Sequence, residues 1–143
     1  MISAIEQDIS KNPEDAEAWI KLGNICFDSG RVKKAIGAYE KALELNPKNA
    51  NVLTDLGVMY RRDKQPEKAV EAFDKAITAD PHHEVSRFNK GIVLMHDLKN
   101  YEGAIREWNE LVKMNPMAMT PGGQTVKEMV ERIKESMNQQ KNG

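Results

Sequence analysis

Residues 50–83 read ANVLTDLGVMYRRDKQPEKAVEAFDKAITADPHH. Leu53, Leu56 and Tyr60 recur at three- and four-residue intervals, and Ala69, Phe73 and Ala76 do so further on. That spacing lines one face of an α-helix, so the stretch predicts two helices, one after the other. Pro66 suits the first turn of the second helix, where a missing N–H costs nothing. Pro81 ends that helix, because the residue before a proline, here Asp80, is pushed out of the α region. Gly57 and Ala69 lack bulk where the two helices should cross, so their backbones can approach.

The same unit recurs along the chain. Gly23, Gly57 and Gly91 are spaced by 34 residues, as are Pro13, Pro47 and Pro81, with Pro116 following 35 later. Ala35, Ala69 and Ala104 repeat in step, each followed four residues on by an aromatic: Tyr39, Phe73 or Trp108. One residue inserted between Leu94 and Ala104 accounts for the longer third interval. Trp19, Leu22, Cys26 and Ile36, Tyr39, Leu43 show the helical spacing again in the unit before. Asn49, two residues past Pro47, is a natural N-cap. His83 stands at that place in the third unit, where a weaker cap is expected.

Three units in register resemble tetratricopeptide repeats, whose 34-residue pattern is W-x2-L-G-x2-Y, then A-x3-F, then a closing P. The first unit, 16–49, carries Trp19, Leu22, Gly23, Cys26, Ala35, Tyr39, Ala42 and Pro47. The second, 50–83, carries Leu53, Leu56, Gly57, Tyr60, Ala69, Phe73, Ala76 and Pro81. The third, 84–118, keeps Gly91, Leu94, Ala104, Trp108 and Pro116 but places Arg87, Lys90 and Leu111 where the pattern wants apolar or small residues. The resemblance implies an all-α solenoid of antiparallel helix hairpins, wound as a right-handed superhelix, forming a single domain over 1–143.

The flanks fit that scheme. Residues 1–15 place Ile2, Ile5 and Ile9 on one face and lead into Pro13, as the second helix of a repeat does. This half repeat is either a native N-terminal cap or the cut edge of a longer, even membrane-anchored, protein. Residues 119–143 break at Pro121–Gly123, after which Val126, Met129, Val130, Ile133 and Met137 form an apolar stripe. A solenoid needs its last hairpin covered by a helix with a polar outer face, and this segment supplies one. Met114, Met117 and Met119 are expected to fill core space where the last repeat meets that cap, with an adaptable partner surface as the alternative. Trp108 and Leu111, larger than Phe73 and Ala76, suggest an end interface repacked against the same helix.

Composition narrows the function. The 143 residues hold 21 basic and 22 acidic side chains, a formal net charge of −1, with 40% apolar and 6% aromatic residues. No segment has the basic excess of a nucleic-acid footprint. No apolar stretch approaches the roughly 18–20 residues of a membrane span. One Cys cannot form an internal disulfide, and Cys26 occupies a core position where the second unit has Tyr60. His82 and His83 are adjacent in a turn and cannot easily share one metal, and no acidic or Cys cluster stands at ligand spacing. No phosphate loop, nucleophile elbow or paired His/Glu motif occurs. No enzyme, metal or cofactor is expected.

The resemblance implies instead that the first helix of each unit lines a concave groove that holds a segment of a partner protein. Candidate groove residues are Ile20 and Asn24; then Asn51, Thr54, Asp55, Val58, Arg61 and Arg62; then Phe88, Asn89 and Ile92. Glu17, Phe27, Asp28, Val85, Met95 and His96 extend the same rows. The carboxylate clamp of chaperone-tail binders finds Ile20, Asn24, Asp55, Val85 and Asn89 at its positions. Only Asn24 agrees, and Asp55 would repel a carboxylate. The expected ligand uses apolar anchors, hydrogen bonds to Asn24, Asn51 and Asn89, and one acidic group at Arg61 and Arg62. A self-assembling module, pairing through end helices or through a terminus laid in a groove, is the competing expectation.

Overall fold

The computed structural model describes residues 2–142; Met1 and Gly143, the outermost residues of the expected half repeat and terminal cap, lie outside them. Eight helices follow in order: α1 (Ile2–Lys11), α2 (Ala16–Asp28), α3 (Val32–Leu45), α4 (Ala50–Arg62), α5 (Pro66–Ala79), α6 (Glu84–His96), α7 (Tyr101–Met114) and α8 (Val126–Asn142). Among the described residues the only β pairing outside helices is one antiparallel bridge between Met119 and Thr125. The chain forms two compact units, Met1–Ser86 and Arg87–Gly143, divided within α6.

In the first unit α2 packs on α3 and α4 on α5, α3 lies against α4, and α1 lies against α2. Each hairpin closes on an aromatic ring seated over a glycine. A Cβ added to Gly23 would lie 2.5 Å from Tyr39 Cε1, and the ring of Phe73 covers Gly57 in the same way. Ala35 and Ala69 are fully buried beside these seats. The small residues therefore let the helices approach, and the aromatic four residues on fills the space so made. Burying such a ring contributes about 2–3 kcal/mol. The core continues through Leu22, Cys26, Ile36, Val52, Leu56 and Met59, with Ile9 from α1 added to it.

The ends of these helices follow local chemistry. Asp15 Oδ1 accepts from the Glu17 N–H, and Asn49 Oδ1 from the Val52 N–H at 3.1 Å. Pro66 stands at the first position of α5, and Asn46 and Asp80, each before a proline, leave the helical region at φ −143° and −142°. The turns at 29–31 and 63–65 pass through a left-handed residue, Gly30 at φ 74° and Lys64 at φ 60°.

In the second unit Trp108 covers Gly91 as its counterparts cover theirs. Its indole Nε1–H also donates to the Phe88 carbonyl at 3.1 Å. The larger ring thus fills its own hairpin. The inserted residue lengthens the turn between α6 and α7 to four residues, 97–100. Arg87 and Lys90, out of pattern in sequence, share one acid: Glu107 accepts from Arg87 Nη1 at 3.2 Å and from Lys90 Nζ at 2.8 Å. The corresponding residues of the second repeat are Leu53, Leu56 and Ala72. An apolar contact has been replaced, as a set, by a largely buried charged one.

Helix α8 packs on α7, with Val126 and Val130 buried and Met129, Ile133 and Met137 half-buried. The connection differs from the expected methionine-filled core. Met117 lies in the turn that leaves α7 and Met119 in the bridge beyond it; Ala118 and Thr120 are buried while Met117 and Met119 are 72% and 57% exposed. Thr120 N–H and Val126 N–H donate to the carbonyls of Gln124 and Ala118, each at 2.8 Å. That tight return fixes this pattern of exposure, and only Met114 of the three is half-buried.

Candidate functional site

The candidate residues of the first unit lie on α2 and α4. Ile20, Asp55 and Val58 are half-buried, whereas Asn24, Asn51, Arg61 and Arg62 are exposed. Thr54 does not belong with them. It is 4% exposed, and its hydroxyl donates to the Ala50 carbonyl one turn back, so it stands in the core. Arg62 lies with its guanidinium carbon 4.8 Å from the centroid of the Phe27 ring, which joins the C-terminal turns of α2 and α4.

Two side chains absent from the groove rows organise this face. Tyr39, buried in α3, donates its hydroxyl to Asn24 Oδ1 at 2.7 Å. Burial first, then the charges of Asp55 and Asp28, raise its pKa far above the ordinary phenol value, so it stays a donor. His83 plays the matching part beyond α5. Its Nδ1 accepts the Ser86 backbone N–H at 3.2 Å, and its Nε2 lies 2.8 Å from Asn51 Oδ1. The Asn51 Oδ1 can only accept, so Nε2–H donates to it. His83 therefore makes the same kind of capping bond to α6 that Asn49 makes to α4. Sequence placed His83 at the cap but missed both bonds to the asparagines; the signals were a Tyr where the other repeats have Phe or Trp, and a His where Asn caps.

Both asparagines thus have their oxygens occupied by protein donors, which leaves their amide N–H groups for another molecule. Asp55 follows Asn51 by one helical turn on α4. Burial pushes its carboxyl above the ordinary range; the charge of His83 works against this and that of Asp28 adds to it. Among the described residues no donor is hydrogen-bonded to Asp28 or Asp55. The surface is consequently bipolar in a definite way: amide donors beside carboxylate acceptors, with Ile20, Val58 and Phe27 as apolar neighbours.

In the second unit Phe88, Asn89 and Ile92 are half-buried on α6, and the Phe88 ring lies 6.2 Å from that of Trp108, tilted by 32°. A cleft of about 490 Å³ in the first unit involves none of the candidate residues; Leu43, Leu53, Leu56 and Tyr60 line it, with Glu40 and Lys68 among its charged members. Cys26 is fully buried, and burial pushes its thiol pKa up, away from the reactive thiolate. Among the described residues no helix is long and apolar enough to cross a membrane.

Helix hairpins with a small residue under a ring, repeated at this interval, define a tetratricopeptide-repeat protein, an all-α hairpin solenoid. The chain belongs to the family of the cytochrome c-type biogenesis protein H TPR domain, whose model matches residues 1–119. Such repeats generally mediate protein–protein interaction and act as non-catalytic scaffolds. Among solved structures, MamA has a TM-score of 0.77 at 22% identity over 80% of this chain and 67% of that chain. MamA 41-end from Desulfovibrio magneticus RS-1 gives 0.75 at 20% identity over 80% of this chain and 64% of that one. The first TPR of Spaghetti (RPAP3), bound to the HSP90 peptide SRMEEVD, gives 0.74 at 19% identity over 86% of this chain and 93% of that chain. These likenesses establish the fold. The chain spans about two thirds of the length of the MamA chains. No curated protein matches it.

Proposed function

We propose that the chain is a non-catalytic adaptor that holds a polypeptide segment of a partner against the α2–α4 face, and that the partner takes part in c-type cytochrome biogenesis. The biogenesis assignment is supported by the family match over residues 1–119. The binding face is supported by one observation above all. Asn24 and Asn51 each have the oxygen bonded within the protein and the amide N–H left over, beside half-buried Ile20 and Val58. An extended segment laid there satisfies its backbone carbonyls at the amides and buries side chains between them. Phe88, Asn89 and Ile92 are the corresponding residues of the third repeat and are read as a second contact set.

The test is fluorescence anisotropy with overlapping peptides that tile a c-type apocytochrome and the other proteins of its maturation. At least one segment is expected to bind in the micromolar range, and N24A/V58A to weaken it about tenfold, the effect of one hydrogen bond and one apolar contact. Undiminished binding by N24A/V58A sinks the face assignment. The SRMEEVD peptide should not compete, because its acidic residues would meet Asp55 where a carboxylate clamp needs a cation.

A further inference from the structure

On the reading just proposed, the chemistry of the segment follows from what the face leaves unsatisfied. We infer that the α2–α4 face selects a segment that places a lysine or arginine side chain at Asp55 and Asp28, with its backbone carbonyls turned to Asn24 and Asn51. The hydrogen-bond valences favour this arrangement over the opposite one. Tyr39 and His83 each take one lone pair of an asparagine oxygen, while both N–H donors of each amide are left for a carbonyl to accept. The carboxylates offer only acceptors, and among the described residues nothing donates to them.

Charge complementarity points the same way. Asp55 is half-buried and has Asp28 as a like-charged neighbour, an arrangement that disfavours the carboxylate until a cation arrives. The nearby positive groups do not meet that need. His83 offsets the cost only in part and turns its Nε2–H to Asn51, and Arg62 lies over the Phe27 ring. An acidic segment would add a third negative group to the two present. The acidic anchor that the two arginines suggest from sequence is therefore replaced here by a basic one. Ile20 and Val58 require apolar side chains next to the cation.

A random-peptide display library, selected in parallel on the full chain and on D28N/D55N, tests this. The wild type is expected to enrich sequences with Lys or Arg beside apolar residues. D28N/D55N, with an unchanged circular dichroism spectrum, should lose the basic preference and keep the apolar one. Synthetic peptides from the wild-type selection, carrying Lys→Gln at the enriched position, should bind the wild type at least tenfold more weakly and D28N/D55N without that difference. Apolar enrichment with no basic preference, or equal basic preference in both proteins, overturns this inference and leaves the groove reading standing. Enrichment of no sequence by the wild type overturns both.

Discussion

At Gly57 a single hydrogen atom is all that fits between α4 and the ring of Phe73, whereas Gly37, exposed on α3, has open space around it. Both are glycines inside helices, where alanine is worth up to about 1 kcal/mol more than glycine. G37A is therefore expected to stabilise the protein by that amount. G57A should destabilise it, since displacing a packed ring costs about 1–3 kcal/mol and outweighs the helical gain. Urea denaturation of the pair checks this, and equal shifts would contradict the ring-on-glycine account. Asp55 supplies a prediction in pH. Its pKa is raised in the folded state by burial above the unfolded value of 3.8. Folded protein therefore holds the proton more tightly, and stability falls as pH rises from about that value through the raised folded pKa. D55N removes the cost. At pH 7 its melting temperature should exceed that of the wild type, by less than about 1 kcal/mol in free energy because the face is partly solvated. Near pH 3.5 the difference should vanish. A D55N protein less stable than wild type at pH 7 would show a stabilising partner for the carboxylate.

The pair α6 and α7 differs from the two hairpins before it by three coordinated residues. Glu107 holds Arg87 and Lys90 with 16–17% of each side chain exposed. E107A removes the acid that these two largely buried cations share and should destabilise the protein, by up to about 3–5 kcal/mol. The triple variant R87L/K90L/E107A installs the residues of the second repeat, and it should be about as stable as wild type or more so. Thermal unfolding separates them: a triple variant as unstable as E107A would mean that the position does not behave as a repeat equivalent. These elements show what a linear pattern reveals. The eight helices, their hairpin partners and their capping prolines were legible because each depends on residues within a few positions. Glu107 was not, since a lone acid on a helix looks solvated until Arg87 and Lys90 are brought to it from 20 and 17 residues away. The proposed binding face was legible to the same degree. Asn24, Asn51 and Asp55 follow from helical register, but Thr54 lies on the same stretch of helix and turns inward. The roles of Tyr39 and His83 depend on contacts 15 and 32 residues long. The basic preference inferred for the face depends on those same contacts.

For the molecule as a whole, helix α8 is the element whose removal should matter most to the unit that carries it. Val126 and Val130 are 0% and 3% exposed, and Leu111 of α7 is 2% exposed. A chain ending at Gln124 is expected to lose the packed state of residues 87–124, seen as a loss of helical signal larger than α8 itself accounts for. An unchanged melting curve would show α8 to be dispensable. The first unit, with a core of its own running from Ile9 to Met59, should keep its structure in that truncation. The indole environments carry a last consequence. The chain has two tryptophans, one in each compact unit. Trp19 is half-buried and donates to the Pro13 carbonyl at 2.8 Å, while Trp108 is 1% exposed and donates to Phe88. Their emission should differ in colour, the deeper indole shining further to the blue. With W108F and W19F, each unit carries a single lamp, and two fluorescence titrations in urea report the two halves separately. Coincident midpoints mark one cooperative block, and separated ones mark two, with no dye attached.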